Sequence, residues 1–308
     1  DMKIFDAHCD VLYKMWMNPT ISFYNDQRLQ TNYAYLTKTG HGNIQCFAIY
    51  IPSSVHEQER FQAALEMIDI FYDKIMTYRD MKLILTKSDA LRLQENEVGA
   101  ILTLEGCDAI GSDLTRLKML YRLGVRSIGL TWNYANATAD GILEPRGAGL
   151  TSFGKRVVTF NNEKKLWTDV SHLSERGFWD VIESAKFPIA SHSNAKAIAP
   201  HVRNLTDSQI LALIERDGII GITFVPEFLE KKGNASIRDV LRHIEYICSL
   251  GGENNIGFGS DFDGTDEMPY QLRNYSYYNI LINELLKKYP EKIVKGFLFH
   301  NFLEKMFF

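Results

Sequence analysis

Paired cysteines, a basic excess and a long apolar run are all missing from this 308-residue chain. Its four cysteines, Cys9, Cys46, Cys107 and Cys248, are far apart and include no CxxC pair. That argues against a zinc knuckle or a disulfide-stapled scaffold and reads as thiols kept reduced. A net charge of −4 and an isoelectric point near 6.1 argue against a nucleic-acid surface, because phosphate binding needs a clustered basic excess. No stretch reaches the roughly 18 apolar residues of a membrane helix, and the amino-terminal residues lack the basic, apolar and small-residue succession of a secretory signal. No membrane or nucleic-acid partner is therefore expected, and a cytoplasmic location is. A composition break or linker is also absent, so we read residues 1–308 as one domain, ending in a helical extension over 291–308.

What is present is a chain 45% hydrophobic and 23% charged, enough to fill a large core. Short apolar runs rich in β-branched and aromatic residues alternate with longer stretches of helical spacing. The runs at 3–9, 44–51, 99–104, 126–131, 168–171, 187–190, 218–225 and 255–259 predict eight strands. Helices are predicted over 56–78, 113–123, 153–165, 174–185, 206–217, 236–250 and 270–288. Ser112-Asp113, Ser174-Glu175 and Thr206-Asp207 serve as start signals, and Gly124 and Gly251 as stops. Eight continuously apolar strands, most followed by a helix, predict a parallel sheet covered by helices, and a (β/α)8 TIM barrel is its simplest closure. Such a barrel carries its chemistry at the carboxyl ends of its strands.

Six acidic or histidine side chains stand where those runs stop: His8 and Asp10 in IFDAHCD, Glu105 in GAILTLEG, His172 in TDVSH, His192 in FPIASHS and Asp261 in NIGFGSDFDG. His8 and Asp10 are two apart, so on a strand both face one side and can hold one metal ion, while Cys9 between them faces away. His172 and His192 end neighbouring strands, about 5 Å apart, which suits two ligands of one ion. Glu105 lies between the two sets, where a carboxylate can bridge paired cations. Asp261 ends the last strand, beside the first in a closed barrel, placed to relay a proton. Asp6 reads as a buried hydrogen-bonding group one layer deeper, and Asp263 as a residue out in the loop. Two divalent ions carry about +4, which Asp10, Glu105, Asp261 and one hydroxide neutralise, whereas one ion would leave the site anionic. Zinc suits the donors best, and manganese, iron and cobalt are compatible with the same ligand types.

Together these residues resemble the membrane (renal) dipeptidases, peptidase family M19 of the amidohydrolase superfamily, over most of the chain. DAHCD is similar to the first metal motif of that family, LEG to its bridging glutamate, and VSHLS and ASHSNA to its two histidine motifs, with further matches in GLTSFGKRVV and GFGSDFDG. The resemblance implies two zinc ions, the first held by His8 and Asp10, the second by His172 and His192, with Glu105 bridging. It implies Arg203 as the grip on the substrate's terminal carboxylate, which a guanidinium can hold by two parallel bonds, and Asp261 near the attacking water and the substrate amine. One position departs from it. Where the mammalian enzymes carry Thr-His, with that histidine supporting the carbonyl oxygen, this chain carries Trp132, in GLTWNYANATAD. An indole donates one hydrogen bond and cannot carry charge, so Trp132 and Asn133 are the candidates to line this part of the substrate site.

The expected activity is thus hydrolysis of dipeptides, including some with a carboxyl-terminal D-residue, by a metal-bridging hydroxide, with Asp261 and Glu105 as catalytic residues. The competing readings are a lactonase, deaminase or phosphoesterase on the same barrel, and a non-catalytic barrel. HxD in place of HxH, together with Arg203, favours the peptidase, and five buried ligand candidates disfavour a scaffold. The resemblance also implies a homodimer.

Overall fold

The structure is a computed structural model that describes residues 2–39 and 41–308. Among the described residues, nine strands form one all-parallel sheet: β1 Phe5–Asp6, β2 Ile44–Tyr50, β3 Met81–Leu83, β4 Val98–Glu105, β5 Val125–Gly129, β6 Trp167–Asp169, β7 Pro188–Ile189, β8 Ile220–Ile222 and β9 Ile256–Phe258. Eight of them run in the order β7-β6-β5-β4-β2-β1-β9-β8. The bridge Ala190↔Ile220 joins the two ends, with Ala190 N–H donating to the Ile219 carbonyl at 2.9 Å and Gly221 N–H to the Ala190 carbonyl at 2.7 Å. The fold is the expected (β/α)8 TIM barrel.

The ninth strand, β3, was not predicted. It pairs with the first residues of β4, Met81↔Val98 to Leu83↔Ala100, whereas β5 joins β4 only from Leu102, where the register shifts. β3 therefore occupies the β4 edge that β5 leaves free, and three residues with an exposed Lys82 carry too little apolar signal to stand out. Except for β4, which outruns its apolar run, the paired strands are shorter than the apolar runs because the ladders thin toward the carboxyl rim. Single bonds continue there, such as Asp261 N–H to the His8 carbonyl at 3.1 Å.

The strands are buried along nearly their whole length, as both faces of a barrel strand require. Their outward side chains meet the helices Arg60–Ile70, Leu114–Arg122, Ser152–Lys164, Glu175–Ser184, Asp207–Glu215, Ile237–Ser249 and Tyr278–Leu286. The expected caps are in place. Asp113, Ser174 and Thr206 accept the first orphan N–H groups of their helices, and Gly124 and Gly251 adopt the left-handed φ of 118° and 95° that a helix stop uses. Two expected helices are broken. The run at 56–78 begins at Arg60 and leaves the α-path at Phe71–Ile75 as a wider π-turn, and 270–288 is two single turns before Tyr278–Leu286.

A second apolar cluster gathers Phe5, Ile44, Cys46, Ile101, Trp167, Ile189 and Ile219, contributed from around the ring, with Phe299, Phe302 and Met306. This is the barrel interior. The chain end fills it from below, with Phe302 stacked on Phe5 at 5.0 Å and 5.8 Å from Trp167. A Cβ on Gly257 would lie 2.3 Å from Phe302, so the β9 glycine makes room for this plug. The four cysteines are free, three of them buried and Cys248 half-buried. Among the described residues, no helix is long and apolar enough to cross a membrane.

Candidate active site

The six strand-end residues converge on the carboxyl rim. His8 Nε2 lies 3.1 Å from Asp10 Oδ2, 3.4 Å from Glu105 Oε2 and 3.5 Å from Asp261 Oδ1. Glu105 Oε2 is also 3.0 Å from His172 Nε2 and 3.4 Å from His192 Nε2. The donors group as His8, Asp10 and Glu105; Glu105, His172 and His192; and His8, His192 and Asp261. Glu105 thus belongs to both a His8/Asp10 set and a His172/His192 set.

Several of these contacts arise off the strands. β1 ends at Asp6, His8 lies two residues beyond it and Asp10 is the N-cap residue of the helix Val11–Met17. The bridge Cys9↔Phe262 carries the extended path past β1, so His8 and Asp10 meet on the face opposite the Cys9 side chain, as strand alternation predicts. His172 stands three residues beyond β6 with a left-handed φ of 71°, and Asp261 three beyond β9 with 64°, conformations that swing both side chains inward. β6 pairs with β7, and the rings of His172 and His192 have centroids 5.0 Å apart. Cys9 faces away as expected, its thiol donating to the Cys46 carbonyl at 3.3 Å.

The site's electrostatics are those of a crowded anionic pocket. Burial pulls the His8 imidazole down, but the Glu105 and Asp10 carboxylates outweigh it and hold His8 well above its ordinary value. Burial would raise Glu105, yet the three imidazoles facing it hold it well below. Burial, then Arg203, lowers His172 to about 4, and burial, then His8, depresses His192 strongly, so both present neutral ring nitrogens. Burial, aided by the Asp10 and Glu105 charges, pushes Asp261 well up. Three carboxyl groups beside His8 and the Arg203 guanidinium form a set that divalent cations would complete.

Two observations show that the donors fit such ions. Buried Asp10 Oδ1 has no hydrogen-bond partner, an orphan that is costly unless something positive meets it. A Cβ on Gly264 would lie 2.1 Å from Asp261 Oδ1 and 2.6 Å from Asp10 Oδ2, so the glycine keeps the space beside both carboxylates open.

Arg203 lies in the loop after β7, buried at 6% exposure. It donates from Nη2 to the His192 carbonyl at 2.8 Å and from Nη1 to Ser193 Oγ at 3.4 Å, and its Nε–H has no partner. Trp132 follows β5 and packs edgewise on Tyr50 at 5.2 Å, with His172 6.2 Å away. Asn133 is turned behind the site. Its Oδ1 meets His172 Nδ1 at 2.7 Å, which assigns the proton to Nδ1 and leaves Nε2 toward Glu105. Asp263 differs from expectation, being buried and not out in the loop. Lys14 Nζ at 2.9 Å and the N–H groups of Gln30 at 2.7 Å and Thr31 at 3.0 Å bind it. Asp6 is buried as expected, accepting from Tyr278 at 2.6 Å and Ser260 N–H at 3.2 Å.

An open cleft above the cluster is lined by Tyr13, Tyr50, Trp132 and Gly264 with Asp10, Glu105, His172 and Asp261. The sequence reading missed both tyrosines and Gly264. Tyr50 carried a usable signal, since it ends the β2 run in register with Glu105 (Tyr50↔Glu105).

The solved structures similar to this chain carry the same architecture. A dipeptidase described as a metallopeptidase of family M19 matches at 29% identity and a TM-score of 0.93, over 99% of this chain and 97% of its own. A metallopeptidase from Rhodobacter sphaeroides, liganded with a phosphinate mimic of the dipeptide L-Ala-D-Ala, matches at 28% identity and a TM-score of 0.90, over 99% of each chain. Rat dipeptidase 3 is 28% identical over 98% of this chain, which spans 64% of that relative's length. The model of the family "Membrane dipeptidase (Peptidase family M19)" matches residues 1–306. The chain belongs to the membrane dipeptidase family, peptidase family M19.

Proposed function

We propose that this protein is a zinc-dependent dipeptidase that binds two ions per chain. The observation that carries this is the sharing of Glu105 between the His8/Asp10 and His172/His192 donor sets, with the buried cation Arg203 bonded to the backbone of His192. His8 and Asp10 would hold one ion, His172 and His192 the other, and Glu105 both. When bound, such ions supply an acidified water and a Lewis acid for the peptide carbonyl.

The remaining residues bind and orient. Arg203 lines a hollow beside the cluster with His172, Ser193 and Gln209, and its guanidinium is the charge-assisted donor we assign to the free carboxylate of a short peptide. Asp261 stands 3.5 Å from His8 on the cluster's rim, placed to take a proton on its carboxylate and pass it to the departing amine. Trp132 occupies the place of the mammalian histidine. The neutral donors beside it are its own indole N–H and the Tyr50 phenol, which burial and then Glu105 hold protonated. Tyr50 is our candidate for the donor to the developing oxyanion. The phosphinate dipeptide mimic in the Rhodobacter sphaeroides relative supports L-Xaa-D-Xaa substrates beside L-Xaa-L-Xaa.

The test is a panel of L-Xaa-L-Xaa and L-Xaa-D-Xaa dipeptides, esters and lactones, run with metal analysis and with Arg203→Ala. Cleavage of dipeptides at two ions per chain, with KM raised in Arg203→Ala, is expected. Turnover of an ester or lactone with no dipeptide cleaved would overturn the reading, and occupancy that never passes one ion would overturn the paired site.

A further inference from the structure

Behind the ligand set lies a buried chain of polar groups that the proposed reaction does not use. Asp169, the last residue of β6, accepts from the N–H of Ser171 at 3.0 Å and of Ser191 at 2.9 Å on Oδ1, and from the Ser191 hydroxyl on Oδ2. Ser191 Oγ in turn lies 2.8 Å from His192 Nδ1. All of these residues are at most 9% exposed, so no solvent competes for the bonds.

The direction of this chain follows from chemistry. Burial raises the Asp169 carboxyl, while the Ser191 hydroxyl and the Ser191 and Ser171 N–H groups favour its ionised form, and an ionised carboxylate can only accept. The Ser191 proton therefore points to Asp169, and the Ser191 oxygen has lone pairs left for His192. His192 must then carry its proton on Nδ1, and Nε2 turns a lone pair toward the ligand cluster, 3.1 Å from His172 Nε2 and 3.4 Å from Glu105 Oε2. We propose that Asp169, acting through Ser191, is a positioning residue that fixes the tautomer of His192 and so readies it as a metal ligand. The same strand ends extend the network to the substrate arginine. Ser171 Oγ accepts from His192 N–H at 3.1 Å and meets Ser193 Oγ at 3.2 Å, and Ser193 and the His192 carbonyl both accept from Arg203.

The inference rests on His192 serving as a ligand, and it makes a claim about direction that substitution can reverse. In Asp169→Asn the amide oxygen keeps both backbone bonds, while the amide nitrogen donates to Ser191 Oγ. The hydroxyl proton is then pushed toward His192 Nδ1, and the imidazole proton moves to Nε2, where it blocks the ligand lone pair. Ser191→Ala only removes the orienting partner. In the double variant Asp169→Asn/Ser191→Ala, the reversed chain is cut.

Two measurements test this. Zinc affinity from competition with a chromophoric chelator should fall on the order of 100-fold in Asp169→Asn and about 10-fold in Ser191→Ala for one of the two ions. The double variant should return to the Ser191→Ala value, a rescue that loss of packing would not give. In the ion-free protein, imidazole nitrogen NMR should show His192 protonated at Nδ1 in the wild type and at Nε2 in Asp169→Asn, which tests the relay even if the metal reading fails. A wild-type His192 protonated at Nε2, unchanged affinity in Asp169→Asn, or a double variant no better than Asp169→Asn would each overturn the proposal. A wild type that binds zinc as expected but cleaves no dipeptide would count against the dipeptidase reading alone.

Discussion

Glu105 is the residue whose removal separates a shared site from a merely acidic pocket. It contacts His8, His172 and His192 through one oxygen, so Glu105→Ala should cut turnover on the order of 10³-fold or more while circular dichroism shows the fold retained. Activity near wild type would show that the cluster is not the active site. Gly264 gives a subtler test. Its missing Cβ would press on Asp261 and Asp10, so Gly264→Ala should weaken zinc on the order of 10-fold by chelator competition, and unchanged affinity would remove the fit argument drawn from that space. Tyr50→Phe deletes only a hydroxyl. If the phenol meets the developing oxyanion, kcat should fall by about 10-fold or more at nearly constant KM; a rise in KM alone would place Tyr50 in binding instead. At this scale the six strand-end residues were legible because polar groups interrupted apolar runs. Asn133 was legible only as a type, since its turn toward His172 depends on the path of a loop.

Elements carry the stability that holds those residues still. The carboxyl-terminal segment, read as a helical extension, is helical over most of its length and also forms the floor of the barrel interior. A sequence shows such a segment's apolar content and not its destination. Phe302→Ala should cost about 3–5 kcal/mol in urea unfolding, because it empties space between Phe5 and Trp167; a loss under about 1 kcal/mol would mean that the plug is dispensable. His243 offers a pH signature. It accepts from Ala195 N–H at 3.1 Å and donates to the Leu229 carbonyl at 2.9 Å, tying the β7 loop to the helix Ile237–Ser249. Burial lowers its pKa from 6.5 to about 4. Between those values the unfolded chain binds a proton that the folded protein refuses, so this contribution is complete above pH 6.5 and is lost as pH falls toward 4. The loss is about 3 kcal/mol, and His243→Gln should flatten the acid side of the stability curve by that amount. Parallel curves for the two proteins would refute the assignment.

For the whole molecule, the alternation of apolar runs with helical periods was enough to specify the barrel, because a parallel strand buried on both faces leaves an unbroken apolar signature. The ladder lengths, β3 and the interior plug were not legible, since each depends on which distant segment fills a remaining gap. The same barrel joins stability to ligand binding. Its rim draws site residues from the loops after β1, β6, β7 and β9 and from the end of β4, and without cations three carboxyl groups crowd there, with His8 and Asp261 both pushed toward their protonated forms. Ion binding must displace those protons, so affinity should rise with pH and binding should release protons, measurable by calorimetry in buffers of different ionisation enthalpy. Because the complete donor set exists only in the folded chain, zinc at about 1,000 times its Kd should add about 4 kcal/mol per ion, and chelation should lower Tm on the order of 10 °C. Both effects should shrink as pH drops and His8 and Asp261 keep their protons. A Tm insensitive to chelator, or a zinc-induced shift that grows on acidification, would mean that the rim cluster is not where the ions bind.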